Sequence, residues 1–258
     1  DTPEKLSLIV NRLTDPKKFW GDYVIPTLSA DDPEYGKASK PDNNGKRTPP
    51  YLEYRGSIVP YVNYIVYHGL KRYGLDELAA AVAQKSAALW AANESDNVEN
   101  YSVYLPKGKR ARNDDYLSAN GNMLALIGLQ ELIDIEYFRP DLKNAIAFGT
   151  FLGGTNSISN LKLLDHVYSV EVTDESTALI MDDINMFKGE GGKFVVRNFL
   201  LDGNGGGEFM VHAKQNISIN LVLPSSNKKT VKYFFIVPPG KSVVKAANGM
   251  VNITKIDA

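Results

Sequence analysis

The chain has 258 residues, 43% of them hydrophobic and 23% charged, which is the make-up of one large or two medium globular domains. Its 29 Lys and Arg nearly cancel its 30 Asp and Glu, so no long-range field marks it as a partner of nucleic acid or of an anionic membrane. Cys is absent, which removes disulfides, thiolate nucleophiles and Cys-based zinc or iron–sulfur sites; the three His (His68, His166, His212) are too scattered in sequence for a metal cluster, and no metal or cofactor is expected. No apolar run approaches the roughly 18 residues of a membrane helix, and no basic-then-apolar leader opens the sequence. The first residue is Asp1 rather than Met, which reads as a processed product or a piece cut from something longer. The compartment is not fixed by these features, with a periplasmic or extracellular setting favoured over a cytoplasmic one.

Up to about Tyr137 the period is that of helices. Leu6, Ile9, Val10 and Leu13 fall at i, i+3, i+4 and i+7, with Thr2 and Pro3 placed as N-cap and first-turn residue. A second stripe joins Ile58, Val62, Ile65, Val66 and Leu70, and Gly74 gives it a stop. A third helix runs from Asp76 through an Ala-rich middle to Trp90, and a fourth places Leu126, Leu129 and Ile133 together. Between the first two lies a Pro-rich segment, Asp15 to Tyr54, of a length that is usually functional or disordered inside a compact domain. After about Asp141 the texture changes to short β-branched runs: Val167 to Val172, Phe194 to Phe199, Phe209 to His212, Ile217 to Val222, Val231 to Val237 and Val243 to Ala247. Gly203 to Gly207 has no helix after it, so it reads as a hairpin loop rather than a phosphate cradle. The fold expected is α+β in two domains, residues 1–137 forming helical hairpins and residues 141–258 an antiparallel β sandwich.

Three segments of the helical part are dense in aromatic, carboxylate and amide groups. They are Phe19 to Pro33, containing Trp20-Gly21 and Pro26-Thr27-Leu28; Tyr54 to Asn63 with Tyr64, leading into Gly69-Leu70-Lys71-Arg72-Tyr73-Gly74; and Glu99-Asn100-Tyr101 followed by Asp114-Asp115-Tyr116-Leu117-Ser118. A carboxylate (Glu99), a guanidinium (Arg55), an amide (Asn63) and a stacking indole (Trp20) are the tools of neutral sugar recognition and glycoside cleavage. Taken singly, each has a plainer use: Glu99 as a solvated loop carboxylate or cap, Arg55 as a pin for the long loop, Trp20 as core.

In that order the segments resemble the C-terminal part of the (α/α)6-barrel glycosidases, namely the trehalase-like and processing α-glucosidase enzymes and the mannosylglycerate hydrolase relatives. The resemblance covers about residues 15–137 and implies a partial toroid of helical hairpins. It further implies an inverting mechanism, in which Glu99 is the general base and the general acid is an Asp from a missing N-terminal part of the same enzyme. Trp20, Tyr54, Arg55, Asn63 and Tyr101 become substrate-binding positions for an oligosaccharide or disaccharide. Such families also often carry β-sandwich modules.

The sequence departs from the family pattern at Tyr54-Arg55-Gly56, Ile58-Val59-Pro60 and Tyr116-Leu117-Ser118, where Trp would be usual. Those losses reshape or empty a sugar subsite. The function expected is the base-bearing portion of an inverting hydrolase of α-glucoside or trehalose-type substrates, inactive by itself for want of the acid. The alternative is a non-catalytic glycan-binding or structural module derived from such an enzyme.

Overall fold

The computed structural model describes residues 2–36, 55–92, 119–136, 144–226 and 229–256. Among them are four α-helices followed by twelve strands in two antiparallel sheets of six, an α+β architecture. The chain divides into two compact units, 1–128 and 129–258.

In the helical unit, α1 spans Pro3–Leu13. Thr2 is its N-cap, accepting a hydrogen bond from the Lys5 N–H at 3.4 Å, and Pro3 fills the first turn where no N–H is needed. Of the expected stripe only Leu13 is buried, while Ile9 stays 62% exposed, so helical period alone did not report which face finds cover. α2 (Pro60–Arg72) opens on a proline and ends as Gly74 takes φ 67°. Three residues then lead into α3 (Asp76–Ala92), which packs on α2 as the second arm of a hairpin. Their contact is built from Tyr67, Leu70, Ala79, Val82 and Ala83, with Leu13, Val24, Ile25 and Ile127 completing the cluster. α3 can approach closely because Ala dominates its inner face. Lys71 and Asp76, both buried, pair at 3.6 Å across the α2–α3 turn. Closure of an (α/α)6 toroid lies beyond these four helices.

α4 (Asn122–Leu132) runs without punctuation into β1 (Ile133–Ile135). Ile133, expected on the helical stripe, is therefore a strand residue paired with Phe148. The remaining strands are β2 (Ile146–Phe148), β3 (Asn156–Leu163), β4 (His166–Val172), β5 (Ser176–Met181), β6 (Ile184–Glu190), β7 (Phe194–Leu201), β8 (Gly207–Ala213), β9 (Ile217–Ser225), β10 (Lys229–Val237), β11 (Gly240–Ala247) and β12 (Met250–Ile256). One sheet has the order β1-β2-β7-β8-β11-β12, the other β10-β9-β6-β5-β4-β3. Inward residues of both sheets share one core, with the rings of Phe148, Phe194, Phe199 and Phe209 grouped around Phe187 at 5.2–6.3 Å. β6 runs to Glu190 through Gly189, where glycine is needed because a Cβ would come within 2.2 Å of the Phe194 ring. Gly203 and Gly205, at φ 74° and 85°, lie in the β7–β8 hairpin loop.

Candidate functional site

Two of the three motif segments are brought together on the α2–α3 hairpin. Residues 15–36 leave α1 through a turn in which the Asp15 carbonyl accepts from the N–H groups of Lys18, Phe19 and Trp20 at 2.9–3.1 Å. They then run alongside residues 55–59. Pro26 and Ile58 form an antiparallel bridge. The Thr27 N–H and hydroxyl both donate to the Ser57 carbonyl, at 2.9 and 3.0 Å, while the Gly56 N–H donates back to the Thr27 hydroxyl at 3.3 Å. The Gly36 N–H donates to the Arg55 carbonyl at 2.7 Å. Gly56 is required here twice over, since its φ is 107° and a Cβ would lie 2.5 Å from the Tyr35 ring. Arg55 is thus anchored through its backbone and is half-buried.

Asn63, on the first turns of α2, is fully buried beneath this junction. Its Oδ1 accepts from the Ile25 N–H at 2.8 Å, and its Nδ2 donates to the Val24 carbonyl and, at 3.1 Å, to the Ser86 hydroxyl of α3. The Val24–Ile25 peptide so held is cis. A carboxamide presents donors and an acceptor side by side, so one residue serves both backbone groups of the loop and ties them to two helices. The amide expected on the substrate side is engaged by the protein itself, and its part is to position the loop.

Trp20 is partly buried against the α2–α3 cluster. Lys85 of α3 lies over its ring at 5.6 Å and donates to the carbonyls of Gly21 and Asp22 at 2.7 and 3.1 Å. The indole is therefore wedged between core and cation, and the Trp20-Gly21-Asp22 turn is held from α3. Further along, Lys18 pairs with Asp31 at 3.1 Å, and the Ser29 hydroxyl donates to the same carboxylate at 2.5 Å. The Ser29 hydrogen bond first, and then Lys18, hold the Asp31 carboxyl below the usual carboxylate range.

Glu99, Tyr54 and Tyr101 lie outside the described residues, as do Asp114 to Ser118. Of the expected site residues, Trp20, Arg55 and Asn63 are placed, all within or beside the same stapled junction. Sequence reasoning passed over Thr27, Ser57, Lys85 and Ser86 as the residues that hold it. For Ser86 a signal existed: a hydroxyl on the buried Ala79-Val82-Ala83 face of α3 needs a partner in the loop or the neighbouring helix. Among the described residues no group of His, Asp and Glu has the arrangement of a metal site.

No curated protein matches the chain in sequence. A family model does match part of it: residues 1–116, which contain both stapled segments and the Glu99-Asn100-Tyr101 motif, are similar to the mannosylglycerate hydrolase MGH1-like glycoside hydrolase domain.

Proposed function

We propose that the helical unit is the base-bearing part of an inverting glycoside hydrolase for α-glycosides of small polyols or sugars, of trehalose, α-glucoside or glycosylglycerate type. The observation that carries the reading is the stapling of residues 24–36 to residues 55–59 over Asn63, within the stretch that matches a glycoside hydrolase domain. Motif segments far apart in sequence converge on one rigid junction, as a site displayed from helix ends requires. In this reading Glu99 takes a proton from water on one face of the sugar, while an Asp from a part of the enzyme preceding residue 1 protonates the leaving oxygen. Inversion needs about 6.5–9.5 Å between the two carboxyl groups to admit that water. Arg55, Tyr54 and Tyr101 would contact sugar hydroxyls, Trp20 would offer its exposed edge, and Asn63, Thr27 and Ser57 would fix the loop that carries them.

The test is Glu99→Gln in the longest natural chain. This variant keeps shape and hydrogen-bonding capacity but cannot accept the proton, so turnover should fall by roughly 10²- to 10⁴-fold with substrate affinity little changed. Full turnover in the variant would overturn the assignment of the base. A second reading, glycan binding without catalysis, is favoured by the residues that stand where Trp is usual; Val59, one of these, is buried at the start of α2 and presents no ring to a ligand. It expects Arg55→Ala or Trp20→Ala to weaken sugar affinity while Glu99→Gln changes nothing.

A further inference from the structure

Two consecutive residues of α3 reach the chain that follows α1. Ser86, fully buried, meets the Asn63 amide and through it the Val24–Ile25 peptide. Lys85, about 100° away round the helix and half-buried, reaches the other end of the same stretch. Its ammonium donates to the carbonyls of Gly21 and Asp22 at 2.7 and 3.1 Å and lies 5.6 Å from the centre of the Trp20 ring. Residues 20–25 are thus held at both ends from one turn of α3. They lead directly into Pro26 and Thr27, which pair with Ile58 and Ser57.

The two holds differ in what they secure. Val24 and Ile25 are buried, so the contact through Asn63 and Ser86 satisfies backbone groups that cannot reach water. Gly21 and Asp22 are exposed, and water would satisfy their carbonyls equally well. Tying a long side chain to such a turn removes rotamer freedom that a solvated lysine keeps, and an exposed hydrogen bond adds little stability in exchange. A compact cation with three donors, set against two carbonyls and an indole face, fixes where the turn sits more than it stabilises the fold.

We propose that Lys85 is a positioning residue, which sets the Trp20-Gly21-Asp22 turn for the substrate and so acts on substrate affinity and not on the rate of bond cleavage. The inference rests on the reading of the helical unit as part of a glycoside hydrolase, in which Trp20 meets the sugar. An indole edge offered to the sugar serves the ground state and the transition state alike, so misplacing it raises KM and leaves kcat. Loss of folded protein does the reverse, since a smaller active fraction lowers the apparent kcat and leaves KM as it was. A role confined to the fold is therefore separable from positioning.

The test uses the longest natural chain, with 5-fluorotryptophan at Trp20 and Trp90, and whichever of trehalose, 4-nitrophenyl α-glucoside and mannosylglycerate the parent cleaves fastest. Lys85→Met keeps most of the stem and removes the cation. It should raise KM about tenfold, the equivalent of roughly 1.4 kcal/mol, with kcat within about twofold of the parent. The Trp20 fluorine signal should move while that of Trp90 stays. Lys85→Arg, which supplies a cation able to donate and to stack on the indole, should bring KM back near the parent value. Where the parent turns over and Glu99→Gln does not, an unchanged KM in Lys85→Met overturns the positioning role alone. So does a fall in kcat with KM unmoved, a Trp20 signal that stays in place, or no recovery in Lys85→Arg. A parent that cleaves none of the three substrates overturns the hydrolase reading, and this role with it.

Discussion

In the β unit one continuous apolar cluster reaches across both sheets, with a few buried polar side chains beside it (Glu131 with Thr150, Thr177 and Ser242), while in the helical unit smaller clusters share the interior with an amide, a hydroxyl and an ion pair: Asn63, Ser86 and Lys71–Asp76. The sandwich keeps two ion pairs, Glu136 with Arg197 and Asp182 with His166, at strand ends and turns, where the first holds a bulge and the second ties the β5–β6 turn to β4. The helical hairpin places its polar groups inside, where each one holds irregular chain. The difference teaches where to look for a site. A unit that uses buried hydrogen bonds to hold a loop needs that loop in one conformation, and in this molecule the loop lies in the stretch similar to a glycoside hydrolase domain.

The strongest test of the contrast removes the centre of the β core. Phe187→Ala deletes the ring around which four others are grouped, and a buried Phe→Ala change costs about 3–5 kcal/mol. Hydrogen exchange read peptide by peptide should show β6, β7 and β9 losing protection while α2 and α3 keep theirs. Equal loss in the helices would break the separation, because the clusters of the two units have no residue in common.

The counterpart in the helical unit is Asn63→Ala. It leaves the Val24 carbonyl and the Ile25 N–H without their partner in a buried setting, at a cost of roughly 2–3 kcal/mol. Protection should fall in residues 24–30 and the start of α2, with β-unit peptides unchanged. Asn63→Asp should not restore it, since an added carboxylate oxygen accepts where the Val24 carbonyl needs a donor. Retention of full stability by Asn63→Ala would show that the amide is free to serve a ligand, as the sequence alone suggested.

The parts of this architecture that a linear reading recovers are those where one physical signal dominates. Thr2-Pro3 marks the start of α1, Gly74 marks the end of α2, and six β-branched runs correspond to β4, β7, β8, β9, β10 and β11. Strands without a regular buried face escaped. β3 is an edge strand whose apolar side, Ile158, Leu161 and Leu163, is broken by a bulge and only partly covered, and β6 carries a glycine and two exposed charges in its second half. β1 follows α4 with no Gly, Pro or Asn between them, so periodicity carried the helix one residue too far. The site was legible as composition and illegible as geometry. Trp20, Arg55 and Asn63 stand out in sequence, but a ligand-binding amide and a loop-holding amide are the same residue, and only the partners of Asn63 tell them apart.

The smallest effect expected concerns acid. Asp182 in the β5–β6 turn and Asp31 in the helical unit's loop both have carboxyl groups held low, Asp182 by the Val167 N–H and then His166, Asp31 by Ser29 and then Lys18. A carboxyl with a depressed value in the folded chain binds its proton more readily once unfolded. Its contribution to stability is therefore complete above the ordinary Asp value of about 3.9 and is lost as pH falls through the lower folded value. Both side chains are about half exposed, 46% for Asp182 and 51% for Asp31, so solvent screening keeps the gain slight. Denaturation midpoints measured from neutral pH downward should fall a little less steeply for Asp182→Asn and for Asp31→Asn than for the parent chain, with curves converging at the acid end. Exchange at acid pH should assign the first change to the β3–β4 and β5–β6 turns and the second to residues 27–36. Identical profiles for parent and variants would show that these hydrogen bonds form without favouring the ionised state.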